Sequence, residues 1–123
     1  MPRLMSVSLT EDAVRDRRKT VTRRMGWQYL TPGTRLTLCR KVMGRRKDEP
    51  LVRIVDVEVV DVRRERLDLI TPQEVAAEGF PDMTPAQFVA FFCGSHAGCT
   101  PGSTITRIQW RYLGSHDTER TTA

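Results

Sequence analysis

The sequence predicts an α+β fold built on a small curled sheet or barrel, and three observations carry that reading. Segments of strand character outnumber helical ones, the helices between them are short, and the first and last strands are both long enough to pair. No internal repeat interrupts the chain, and 123 residues suffice for one hydrophobic core but not two. The domain is expected over residues 1–113, with the polar run 114–123 as a flexible tail that includes His116.

Residues 4–9 read as a short strand. Ser8 or Thr10 can then cap a brief helix through about Arg17, with Glu11 and Asp12 in its first turn, where the helix dipole favours acids. Thr20, Val21 and Thr22 form a β-favouring patch, and the Pro32-Gly33 turn launches a strand over 35–42 in which Leu36 and Leu38 alternate with more polar neighbours. The charged tip 44–50 leads into a long Val- and Ile-rich strand over 51–62, so the two strands form a hairpin. Thr71-Pro72-Gln73-Glu74 and Thr84-Pro85-Ala86-Gln87 each place Thr at a helix cap, Pro at the first helical position and an acid or amide three residues after the cap. Gly79 can end the first of these helices, and Phe88, Val89, Phe91 and Phe92 give the second an apolar face for core packing. A final strand over 103–113 puts Ile108, Trp110 and Tyr112 on one pleat face.

The net charge is +5, and its distribution is uneven: residues 1–66 hold 17 Lys and Arg against 9 Asp and Glu, whereas the remainder holds 3 against 6. A basic half of this kind favours a polyanionic partner such as RNA, since each phosphate contact releases counterions. No run approaches the roughly 18 apolar residues that a membrane-spanning helix requires, so no membrane partner is expected. The N-terminus lacks the apolar stretch of a secretion signal, which predicts a cytoplasmic protein. Cys39, Cys93 and Cys99 are then reduced, and their odd number argues against a disulfide framework.

Chemistry concentrates in Arg17-Arg18-Lys19-Thr20-Val21-Thr22-Arg23-Arg24. Strand alternation puts Thr20, Thr22 and Arg24 on one face, so Lys19 can meet Thr22 only from the preceding turn. The segment resembles the ASCH signature Gly-x-Lys-x-x-Thr-x-Arg, with Lys19, Thr22 and Arg24 in the Lys, Thr and Arg places and Arg17 where that family has Gly. The similarity extends from about Leu4 to Leu113 through the order of Pro-Gly turn, hairpin, Thr-led helix ending Glu-Gly-Phe, and terminal aromatic strand. It implies a small PUA-like β-barrel with short flanking helices that binds RNA or a modified nucleoside in a basic cleft. It also implies a possible amidohydrolase activity on N(4)-acetylcytidine, with Lys19, Thr22 and Glu78 in the catalytic places and no cofactor.

The residues themselves are compatible with that transfer. A threonine hydroxyl needs a base, and a lysine can serve when burial or neighbouring cations lower its pKa. Arg17, Arg18, Arg23 and Arg24 are the candidate cations and ligand contacts, and Trp27 and Tyr29 can either stack on bases or pack at the rim. The same residues also fit a solvated basic face with no site. Cleavage of RNA is a further reading, disfavoured by the lack of a histidine near the motif, and so is a small factor whose basic face meets an acidic host protein. Cys93-x-x-His96-x-x-Cys99 offers three zinc ligands with Cys39 as a distant fourth, against which stands a polar loop with incidental thiols.

Overall fold

In the computed structural model, which describes residues 3–115, a mixed five-stranded sheet curls into a half-barrel with short helices packed on it. Residues 116–123, most of the expected tail together with His116, lie outside the described residues. The strands are β1 (Arg3–Ser6), β2 (Val21–Arg24), β3 (Arg35–Cys39), β4 (Arg53–Arg66) and β5 (Thr104–Ser115), in the order β1-β3-β4-β5-β2. β1 runs parallel to β3, and the other neighbours are antiparallel. Register shifts between Asp56 and Val57 and between Val59 and Asp61 bend β4 against β5 and help to curl the sheet.

The expected pairing of the first and last strands does not form. Both edges of β5 are taken, one by β4 and the other by β2, so β1 and β2 become the sheet's two free edges. A side chain bridges that open seam instead: Arg24 Nη2 on β2 donates to the carbonyl of Ser6 on β1 at 2.8 Å. β5 also continues to Ser115, past the expected end at 113.

The helices α1 (Glu11–Arg15), α2 (Pro72–Ala77) and α3 (Pro85–Gly94) follow the local signals, with differences at the caps. Thr84 and Gln87 form a complete capping box. Thr71 accepts from Glu74 N at 3.2 Å, but the Glu74 carboxylate turns away to two arginines. Thr10 stands at the cap of α1 without a side-chain hydrogen bond. Among the described residues no helix is long and apolar enough to cross a membrane.

Two apolar clusters fill the fold, one of Met5, Leu36, Leu38, Val55, Val57, Ile108 and Trp110 inside the sheet, the other of Leu67, Val75, Phe88, Phe92 and Ile105 beneath α2 and α3. Between them runs the turn that carries Lys19. Arg17, where the ASCH signature has glycine, takes a left-handed φ of 59°, a conformation unfavourable for a residue with a Cβ. Thr20 N donates to Ala77 O at 2.9 Å, and Trp110 N donates to Thr20 O at 3.0 Å. The Lys19 carbonyl accepts from Trp110 Nε1 and from the Tyr112 hydroxyl. The end of α2 is pressed equally close, since a Cβ on Gly79, whose φ is 108°, would lie 3.1 Å from Ala13 Cβ and from Thr10 Cγ2. Gly79→Ala should therefore destabilise the protein by about 1–3 kcal/mol in urea denaturation. An unchanged midpoint would contradict this close approach.

Candidate functional site

Lys19 precedes β2, in the turn, and this lets it share a face with Thr22. Glu78 caps the C-terminus of α2, and the backbone bond from Thr20 to Ala77 brings it alongside. All three are at most 3% exposed and contribute to the wall of one cavity of about 260 Å³ at the β1–β2 seam. Ser6, Val7 and Arg24 line its β side, and Phe80, Phe88, Phe91, Phe92 and His96 form an aromatic wall opposite.

Lys19 Nζ donates to the Glu78 carbonyl at 2.6 Å and to Glu78 Oε1 at 3.1 Å. Glu78 Oε2 accepts from Arg23 Nη1 at 3.1 Å, so the carboxylate lies between two cations. Burial drives the Lys19 ammonium below its ordinary pKa of 10.5; Glu78 opposes that shift, while Arg24 and Arg23 reinforce it. Thr22 Oγ1 accepts from Arg24 Nε at 3.1 Å, which leaves its own proton available to donate elsewhere.

Behind this floor lies a network absent from the expectations. Arg23 also contacts Glu65 at 3.1 Å and Glu74 at 2.9 Å, while Arg107 Nε donates to Glu74 Oε1 at 2.6 Å. Arg23 thus lines the cavity while three carboxylates, Glu65, Glu74 and Glu78, bind its guanidinium. Its Nε is buried without a hydrogen-bond partner among the described residues. Glu65, Glu74 and Arg107 carried no sequence signal for this role, because Glu74 already fitted a helix cap and the other two sit on strands rich in charge.

Several expected contacts lie elsewhere. The Arg17 guanidinium sits 5.1 Å from the Tyr112 ring centre, and Arg18 pairs with Asp16 at 3.2 Å, so neither lines the cavity. Trp27 packs beneath Arg3, 4.3 Å from its ring centre, and Tyr29 is 88% exposed; both border depressions next to the cavity. The zinc alternative is not assembled: among the described residues no group of three or more His, Cys, Asp or Glu is disposed to hold a metal ion. Cys93 and Cys99 instead face each other with sulfurs 3.1 Å apart, which pushes the Cys93 thiol up to about 11. His96 turns away, donating Nδ1–H to Phe92 O at 2.8 Å and stacking on the Phe92 ring. Buried Cys39 bonds within its own strand to Thr37 O. A histidine does therefore stand at the motif's cavity, delivered by the end of α3 from far along the chain.

Hydrogen bonds from Arg107, joined by those from Arg23, hold Glu74 at about 2 against its ordinary 4.5. A carboxyl depressed in the folded state takes up protons more readily once unfolded, so its contribution is complete above about pH 4.5 and is lost as pH falls towards 2. Equilibrium denaturation across this window should show falling stability in the wild type and a flatter profile in Glu74→Gln. Equal slopes in the two proteins would assign the acid limb to other carboxylates.

No protein-family model and no curated protein matches the sequence. Solved structures do match its fold. A DUF984 protein from Enterococcus faecalis V583 superposes with a TM-score of 0.72 at 14% identity, over 97% of this chain and 84% of the other. An ASCH domain from Lactobacillus crispatus JV V101 superposes with a TM-score of 0.61 at 14% identity, over 88% of this chain and 72% of the other. With its mixed, curled five-stranded sheet and short flanking helices, this chain has the α+β, ASCH-type fold of the PUA-like class.

Proposed function

We propose that the cavity receives a nucleobase bearing an exocyclic amide, such as that of N(4)-acetylcytidine, and that Lys19, Thr22 and Glu78 hydrolyse the amide. The observation that carries this reading is a lysine 3% exposed and bound to Glu78 at the wall of an aromatic-lined cavity that Thr22 shares. At about 260 Å³ the cavity is near the small end of ligand sites, which begin at roughly 300 Å³, and suits a planar base lying against its aromatic wall.

A neutral lysine amine has two N–H groups and one lone pair. Glu78 accepts twice from Lys19, so both hydrogens are engaged and the lone pair is left for the Thr22 proton. Burial favours that neutral form. In the proposed reaction Thr22 Oγ attacks the amide carbon as its proton passes to Lys19, and the resulting ammonium then protonates the departing exocyclic nitrogen. Water hydrolyses the threonine ester, releasing the acid and restoring the hydroxyl. Glu78, ion-paired through both oxygens, orients Lys19 and stabilises its charged form in mid-cycle.

Purified protein should convert N(4)-acetylcytidine to cytidine and acetate, with Thr22→Ala and Lys19→Arg each losing at least about a hundredfold in kcat/KM. Lys19→Arg retains the charge but provides no base, so near-normal turnover in that variant would remove lysine from proton transfer. In the wild type kcat/KM should rise with pH through a midpoint below 10.5, as the buried lysine loses its proton. A midpoint at or above that value contradicts the assignment.

Cleavage of RNA is a second reading, favoured by His96 at the same cavity. Metal-independent laddering of RNA, abolished by His96→Ala, supports it; intact RNA beside active deacylation excludes it.

A further inference from the structure

We propose that the ligand is a phosphorylated nucleoside whose phosphate lies just outside the base cavity, held by Arg24, Arg3 and His96; this deepens the nucleobase reading above and rests on it. The inference begins with a guanidinium that no carboxylate contacts. Arg24 Nε donates to Thr22 Oγ1 and Nη2 donates to Ser6 O, two neutral acceptors that fix its plane without cancelling its charge. Nη1 has no hydrogen-bond partner among the described residues, and no carboxylate there forms an ion pair with Arg24. Its neighbour Arg23 contacts three. Glu78 acts on this cation only from beyond contact, and burial outweighs its pull, so an anion arriving at Arg24 would relieve the cost of holding the charge in the wall.

The position of Arg24 indicates where that anion sits. Arg24 and His96 line both the base cavity and an adjoining depression, completed by Arg3, Met25, Gly26 and Trp27, that has no acidic residue in its wall. Arg3 is held over Trp27 at 4.3 Å and has no ion pair among the described residues. With Nδ1–H engaged by Phe92 O, His96 has Nε2 left for the ligand, as a donor when the ring is charged. Two guanidinium groups and an imidazole around one opening, adjoining a base site through the shared Arg24 and His96, match the oxygens of a phosphate. That phosphate is either the terminal group of a mononucleotide or a diester within RNA. A strand would continue over Trp27 towards Tyr29, which border the next depression.

Isothermal titration of the full chain with N(4)-acetylcytidine, its 5′- and 3′-monophosphates and a short single-stranded RNA containing that base tests the proposal. At least one monophosphate should bind tenfold or more tightly than the nucleoside, with the advantage shrinking as salt rises. Arg24→Gln should abolish the advantage. Because that change also opens the β1–β2 seam, Arg3→Gln serves as the second variant and should reduce the advantage while leaving nucleoside affinity intact. RNA binding tighter than either monophosphate identifies a diester as the source; equal binding identifies a terminal phosphate. If the nucleoside binds and a phosphate adds less than twofold, the phosphate site is overturned and the base reading survives. If none of the four binds but inorganic phosphate raises the melting temperature in an Arg3- and Arg24-dependent manner, the phosphate site stands and the base reading falls. No response to any of them overturns both.

Discussion

A buried carboxylate cannot stay charged alone, and Glu78 is the group whose requirement organises this molecule. Its two oxygens are met by Lys19 from the turn before β2 and by Arg23 from β2 itself. That double pairing holds the end of α2 against the sheet edge at a set distance. Weighed against well-packed apolar residues, such a buried ion pair adds little net stability, while removing one partner typically costs about 3–5 kcal/mol. Its consequence is geometric: α2 cannot slide along β2 without stranding a charge. Arg107 and Glu74 continue the same logic outward, tying β5 to the other end of the helix.

The sheet's incomplete closure creates the space that this ionic floor faces. Because β1 and β2 are edges that do not pair with each other, the seam between them is spanned by the Arg24 side chain and faced by the aromatic side of α3. One wall is then polar and charged, the other apolar. Burial lowers the pKa of Lys19 while the phenylalanines offer faces on which a flat ring can lie, so a single lapse in strand pairing supplies both shape and chemistry.

Much of the fold was readable from short-range patterns. The Thr-Pro helix starts, the glycine ending α2 and the alternating leucines of β3 all act within four residues of themselves, and each formed near its expected place. The errors arose where a local pattern admitted two partners. Glu74 suits a capping box, yet arginines from β2 and β5 outbid the cap for its carboxylate. Cys93, His96 and Cys99 have zinc-like spacing, yet the helix carries the imidazole to the Phe92 carbonyl four residues back and leaves the two thiols facing each other. The run of arginines read as one basic face, but its members diverge: Arg17 and Arg18 to the surface, Arg23 into acids, Arg24 to the cavity.

From its sequence alone, this protein's class of fold and the starts of α2 and α3 could be read, because local hydrogen bonding and side-chain periodicity depend on near neighbours, while resemblance singled out Lys19, Thr22 and Glu78 as candidates. Only the tertiary structure decided which cations meet acids, that β1 and β2 remain unpaired, and that His96 enters the same cavity. Those outcomes depend on contacts such as Lys19 to Glu78, 59 residues apart, whose free energy is set by burial and packing that no local window contains.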